Sequence, residues 1–267
     1  MSDADISLDE KRVYGEKTGT TELYVAADLG VAVVAVSADI VGEFSLAHRC
    51  TARDVAAGPD SLAVATDEDV LESADGGYAE TGFGPAVAVG FDDDDVLAAG
   101  PDGTVARREA GGDEWTTLGT VEDVRAIDGD LLASAAGVYR VGDGLDHVGL
   151  ADARDVATGG TPLAATDDGL YYLGPGWATG MDGAFTAVAS SPERGHAATA
   201  DALYEGDGED WRECEVPTGE SVVAVTHGTG TYAVTAQGTV LVNAGDGWRS
   251  RALGLPGVSG LAVAPES

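Results

Sequence analysis

Arg53, Arg125 and Arg154 stand at matching places in the chain. The first and third lie in an identical pentapeptide, Ala-Arg-Asp-Val-Ala, 101 positions apart, and the second in the weaker copy Glu122-Asp123-Val124-Arg125. Guanidinium groups gathered on one point could clamp an anion, bidentately for a carboxylate or phosphate. Asp54 and Asp155 directly follow two of them, so each arginine could instead pair with an adjacent aspartate, or one in the next unit, as a repeated structural tie. Repetition favours the structural use, because a binding site usually breaks a repeat's symmetry, and ion-pair networks perturb local charge much as sites do. His48, beside Arg49 and two residues from Cys50, completes the candidate ligand set of Arg53, Asp54, Arg125, Arg154, Asp155 and His48. A Cys50–His48 couple would share a strand face, but nucleophilic catalysis also needs an oriented third group, which strand spacing does not supply.

The remaining polar clusters read as structural. None of His48, His147, His196 and His227 has metal-ligand spacing, and His196 replaces an apolar residue, which makes it a packing histidine. Cys50 and Cys214 fall in no CxxC or His-paired pattern, so no disulfide framework, zinc site or other cofactor is expected. Asp92-Asp93-Asp94-Asp95 lacks the alternating ligands of a calcium loop and reads as a solvated acidic turn, as do Asp207-Gly208-Glu209-Asp210 and Asp143-Gly144. Trp115, Trp177, Trp211 and Trp248 recur at polar turns. They could stack on carbohydrate, but periodic placement predicts that they cover a hairpin of the repeat.

A repeat must position these residues. Seven phrases share one pattern: LYVAADLGV from Leu23, LAVATDEDV from Leu62, LAAGPDGTV from Leu97, LLASAAGV from Leu131, LAATDDGLYY from Leu163, HAATADALYE from His196 and YAVTAQGTVLV from Tyr232. Spaced roughly 31 to 40 residues apart, they suit units of four short strands. The 101-residue offset is then three units. No segment carries a 3.6-residue apolar period over a helical length, so almost no helix is expected. Four strands of about five residues cannot bury both faces alone, and the units must stack.

The two ends decide how they stack. Val258-Ser259-Gly260-Leu261-Ala262-Val263 looks like the first strand of a further unit, whereas the unit at Glu22-Leu23-Tyr24-Val25 begins with its second strand. A spare strand at one end and a missing one at the other predict a ring closed by pairing them. The fold expected is all-β, a seven-bladed β-propeller, with six blades as the alternative. DVAAG, AVAVG, DVATG, TAVAS and VVAV, rich in Ala and Val, suit the crowded strands nearest the axis. Residues 1–20 read as a polar, acidic segment and 21–267 as a single propeller domain. The loops that lead into the innermost strands, with the arginines, would then surround one mouth of the axial channel.

The run from Tyr232 to Pro265 resembles a repeat of the Asp-box, or sialidase-type BNR, propeller class, whose turn reads roughly S-x-D-x-G-x-T-W. Ser73-Ala74-Asp75-Gly76-Gly77 keeps the first half of that turn; Gly112-Asp113-Glu114-Trp115, Asp210-Trp211 and Asp246-Gly247-Trp248 keep its Asp and Trp. The whole chain, poor in lysine, also resembles a haloarchaeal propeller family. The resemblance implies the fold; because that turn locks a hairpin in its class, it implies no chemistry.

Charge bounds the setting. Forty-seven acidic residues face 14 basic ones, only Lys11 and Lys17 being lysines, for a net charge of -33. At 44% hydrophobic residues this is no acidic disordered chain. Molar salt shrinks the screening length to roughly 3 Å and would quiet the self-repulsion, so a salt-saturated cytoplasm of the halophilic archaeal kind is expected. Nucleic acid is excluded as a partner for want of a basic footprint. The opening stretch MSDADISLDEKRVYGEK has no apolar run for a signal peptide or membrane span, which predicts a cytoplasmic monomer without a membrane partner.

Three functions stay open. A non-enzymatic scaffold for an unknown protein partner comes first, and it should expose an apolar or non-acidic patch on an acidic surface. A small-anion sensor would use the arginine cluster. A glycoside-hydrolase-like enzyme of sialidase type would need, besides arginines, a tyrosine nucleophile with its carboxylate partner, converging in one pocket.

Overall fold

The computed structural model describes residues 19–74, 77–207 and 210–265. Among them 28 strands form seven four-stranded antiparallel sheets, and no helix occurs. Blade 1 combines Gly260–Val263 as its innermost strand with Thr20–Ala27, Gly30–Ser37 and Ile40–His48. Blades 2 to 7 follow as simple meanders over residues 52–80, 88–120, 124–149, 153–182, 185–213 and 222–252. The ring closes as the spare-strand argument requires: Leu23 pairs with Val263, Tyr24 with Ala262, Val25 with Leu261 and Ala26 with Gly260. The Ala264 N–H donates to the Glu22 carbonyl (2.8 Å) and the Ser259 N–H to the Ala26 carbonyl (3.0 Å), extending the seam at both ends.

Each of the seven phrases is the second strand of its blade, and its burial explains its composition. Leu62–Thr66, Leu131–Ser134, Leu163–Thr166 and Thr231–Thr235 are buried at every position, because neighbouring blades cover both sheet faces. Strands covered on two sides read as continuous apolar runs, not as alternation. The Thr or Ser that ends such phrases has its own task. Thr66 Oγ1 donates to the Asp69 carbonyl (2.6 Å), Ser134 Oγ to Gly137 (3.0 Å) and Thr166 Oγ1 to Gly169 (2.9 Å). Each hydroxyl closes the following turn from a position where a bare carbonyl would have no water.

Apolar clusters fill the wedges between consecutive blades; one joins Leu23, Val25 and Val34 of blade 1 to Tyr232, Val240 and Val242 of blade 7. The tryptophans key these wedges from the rim. Trp115 Nε1 donates to the Thr81 carbonyl (3.3 Å) and Trp177 Nε1 to the Val148 carbonyl (3.1 Å), each bond reaching back towards the preceding blade. Trp211 and Trp248 likewise pack against clusters that include the preceding blade.

The acidic turn at Asp92–Asp95 departs from the solvated expectation. Arg107 holds Asp92 at 2.6 Å and approaches Asp95 at 3.8 Å, so two of the four carboxylates have a cation across the hairpin. Asp75 and Gly76 of the Ser73–Gly77 turn, Gly208 and Glu209 of the Asp207–Asp210 turn, and residues 1–18 of the N-terminal segment lie outside the described residues.

Candidate functional site

The seven innermost strands enclose an axial channel of about 780 Å³, and Arg53, Asp54, Arg125, Arg154 and Asp155 all line it. The local reason is a bulge. Pairing of the first two strands skips a residue between Ala52 and Asp54, Val124 and Ala126, and Ala153 and Asp155. The same irregularity falls between Phe185 and Ala187 and between Val222 and Ala224. A bulged residue leaves the ladder and its side chain is re-aimed. Arg53, Arg125, Arg154, Thr186 and Val223 are those residues, and all five face the channel.

His48 stands apart from this set. It ends the outermost strand of blade 1, its ring 5.3 Å from that of Tyr78 on the rim of blade 2. Cys50 packs in the wedge with Tyr24 and Tyr78, and burial, reinforced by Asp67 and Glu68, raises its thiol pKa. Such a thiol is the opposite of an activated nucleophile.

The pentapeptide's aspartates do not pair with the arginines that precede them; each reaches the next blade instead. Asp155 accepts the Val156 N–H on Oδ1 (2.9 Å) and, on Oδ2, the Val188 N–H of the next blade (2.8 Å). Asp54 does the same with Val55 (2.8 Å) and with Val89 of blade 3 (3.1 Å). Each carboxylate therefore brackets two innermost strands. Burial outweighs the two N–H donors, with the Asp128 charge adding to it, and the pKa rises to about 6 for Asp54 and about 7 for Asp155.

A carboxyl that holds its proton more tightly folded than unfolded favours folding at low pH and loses that advantage as pH climbs through the folded value. These two groups therefore make stability fall between about pH 4 and pH 7. Asp155→Asn keeps one acceptor and leaves one N–H facing an amide donor, at a cost of about 1–2 kcal/mol at pH 5. At pH 8 the cost shrinks, because the wild type then carries a charge in a half-buried place. Melting curves at fixed high salt should show a flatter pH dependence for the variant; parallel curves would remove the assignment.

Two of the three arginines are already engaged. Arg154 grips Asp167 bidentately (2.7 and 2.8 Å), an exposed pair that raises the guanidinium pKa and lowers that of the carboxyl. Arg125 reaches Asp123 Oδ2 through Nε (3.1 Å) and Nη2 (2.7 Å), and the Ala153 carbonyl of blade 5 through Nη1 (3.1 Å). Among the described residues Arg53 makes no hydrogen bond or ion pair. The channel also bears Asp92, Asp93, Asp128 and Asp130, so its field is anionic away from the arginines. No tyrosine is among the described residues that line it, and the tyrosine–carboxylate couple of a sialidase-type site is not assembled there.

Two features lie outside the candidate set. Leu29, Ile40, Phe44 and Leu46, the large apolar side chains left exposed among the described residues, all belong to blade 1. Between blades 6 and 7, His196 is 1% exposed, with Nδ1 2.8 Å from His227 Nε2. Burial, helped by His227 and Arg194, drives its pKa down to about 3. Glu205 and Cys214 offer ligand atoms within 4.8 Å of it and of each other. The positions 196, 205 and 214 are nine apart each time, the step of one hairpin, which was the available signal; no known short motif contains it.

Seven meandering blades locked in a ring around an Arg- and Asp-lined channel define a seven-bladed β-propeller. Over residues 7–264 the sequence matches the HVO_0234-like beta propeller family, and the chain belongs to that family. No curated protein matches it. Among solved structures, the WD40 beta propeller domain of Doa1 aligns with a TM-score of 0.64 at 16% identity, covering 80% of this chain and 86% of that one. YCF48 bound to D1 peptide aligns at 0.58 and 13% identity, over 75% and 82%. The computationally designed Ika8 protein aligns at 0.57 and 14%, over 86% of each chain. At such identities the likeness concerns the fold alone.

Proposed function

We propose that the protein is a non-enzymatic interaction module that docks a partner protein on the outer rim of blade 1. The observation that carries this reading is the confinement of the exposed large apolar side chains to that blade: Leu29 at 53%, Ile40 at 67%, Phe44 at 42% and Leu46 at 37% exposure. Ten residues from Phe44 to Arg53 contain no carboxylate in a chain with 47 of them. Exposed large apolar side chains gathered on one element of an acidic protein suit a protein interface. Ile40–His48 is also an outermost strand with a free edge, the kind of edge onto which an extended segment adds as a further strand. Arg251 of blade 7 stands 5.9 Å from the Phe44 ring and donates to the Val41 and Gly42 carbonyls, which adds a cation to the patch. A propeller of similar fold, YCF48, is known bound to a D1 peptide. We take the net charge of -33 to fit work in the molar salt of a halophilic archaeal cytoplasm, and the Asp-Trp turns to fit descent from Asp-box repeats.

Partner capture from native high-salt lysate tests the reading by difference. A protein held by the wild type should be lost with Phe44→Glu/Leu46→Glu and kept with Arg53→Ala. Arg53, without a partner among the described residues, favours a second reading, anion sensing at the channel mouth with Arg125, Arg154, Asp54, Asp155 and, from the rim, His48. That reading predicts the reverse pattern, together with a phosphate-induced thermal shift that Arg53→Ala abolishes.

A further inference from the structure

We propose that His196, Glu205 and Cys214 form a binding site for a thiophilic divalent metal, zinc in the first instance. The fold builds it from two successive hairpins. His196 and Glu205 are cross-strand partners on the second and third strands of blade 6. Cys214 follows the outermost strand, Trp211–Glu213, held by its N–H to the Leu203 carbonyl at 2.8 Å. An imidazole nitrogen, a carboxylate oxygen and a sulfur, all within 4.8 Å of one another, are the donors from which tetrahedral zinc sites are made. The sulfur turns selectivity away from magnesium and calcium, which an acidic surface attracts without discrimination.

The surroundings suit a metal better than they suit the bare side chains. His196 Nδ1 is engaged by His227 Nε2 at 2.8 Å, which leaves Nε2 as the free ligand atom; an imidazole fixed through its other nitrogen is the usual outer arrangement of a zinc histidine. Burial and the neighbouring Glu205 raise the Cys214 thiol to about 11, with the Trp248 side chain opposing them as a hydrogen-bond partner, so a metal would bind there with release of that proton. Glu205 binds Arg212 through Oε2 at 3.0 Å, and its Oε1 accepts no hydrogen bond among the described residues. Three protein ligands leave a fourth tetrahedral position for water or another small donor. His227 and Trp248 belong to blade 7, so the bound metal would also stiffen the wedge between blades 6 and 7.

Cobalt and zinc titrations of the full chain, in molar KCl with excess magnesium to occupy surface carboxylates, test the site. The expected result is one equivalent of cobalt with a sulfur-to-metal charge-transfer band in the near ultraviolet, displaced by zinc. Cys214→Ser should remove the band and weaken zinc binding about 100-fold or more, and His227→Gln about 10-fold. A wild-type spectrum without that band, or unchanged zinc affinity in folded Cys214→Ser, overturns the proposal. Because the cobalt spectrum is read on the wild type, it decides the matter even if a variant fails to fold.

Discussion

A chain that ends at residue 257 does not fold cooperatively. The segment removed supplies the innermost strand of blade 1, Gly260–Val263, and with it Val258, Leu261 and Ala262, each at most 9% exposed. Losing that burial withdraws about 5 kcal/mol from a total that for a domain is only about 5–15 kcal/mol. Leu23 to Ala26 lose their ladder partners at the same time, leaving an unpaired edge in the middle of the molecule. Circular dichroism melts in molar KCl should show a broad, early transition, with aggregation on size exclusion. Gly260→Val is the milder version. A Cβ there stands 2.9 Å from Asp54 Oδ1 and 3.1 Å from the Val55 nitrogen, against the same carboxylate that brackets blades 2 and 3. A truncated chain that melts like the intact one would mean that the seam between first and last strands is dispensable.

Lowering the salt has an effect of similar size. The chain carries a net charge of -33 on 26.9 kDa, so most of its carboxylates have no cation of the protein to offset them. At 0.1 M salt the screening length is about 10 Å, and at 1 M about 3 Å, so the repulsion is felt fully in one and locally in the other. Pairs such as Arg154–Asp167 and Arg249–Asp39 relieve it at a few points only. The melting temperature should rise by about 20 °C between 0.1 and 3 M KCl, steeply at first as repulsion is screened and then more slowly as excluded salt strengthens apolar burial. A flat profile would mean that the acidity plays no part in where this fold is stable.

How much of this was legible follows from what repeats encode. A second strand covered on both faces is apolar throughout, and in blades 2, 4, 5 and 6 a terminal hydroxyl closes its turn, so LAAT and its variants recur visibly. The bulge on the innermost strand wrote itself as Ala-Arg-Asp-Val-Ala, and the arginines were found at the channel for that reason. Their partners were not, since a bulge turns Arg154 and Asp155 to different neighbours: one to Asp167, the other to the next blade's N–H. His48 was misplaced because a residue near the start of a repeat in sequence can still belong to the previous blade's outermost strand. The His196, Glu205 and Cys214 cluster was invisible to local spacing because hairpins, not a helix turn or a tight loop, bring its members together. Ile40, Phe44 and Leu46 carry no sequence signal of their exposure, which only the packing of the ring reveals.

Hydrogen–deuterium exchange of the protein free and in its native complex tests the docking claim most directly. Binding on the blade 1 rim predicts new protection of the amides of residues 40–48, whose outer edge gains a strand, with little change along the innermost strands. Protection centred instead on residues around Arg53, Arg125 and Arg154, with 40–48 exchanging as before, would contradict it and move the site to the channel.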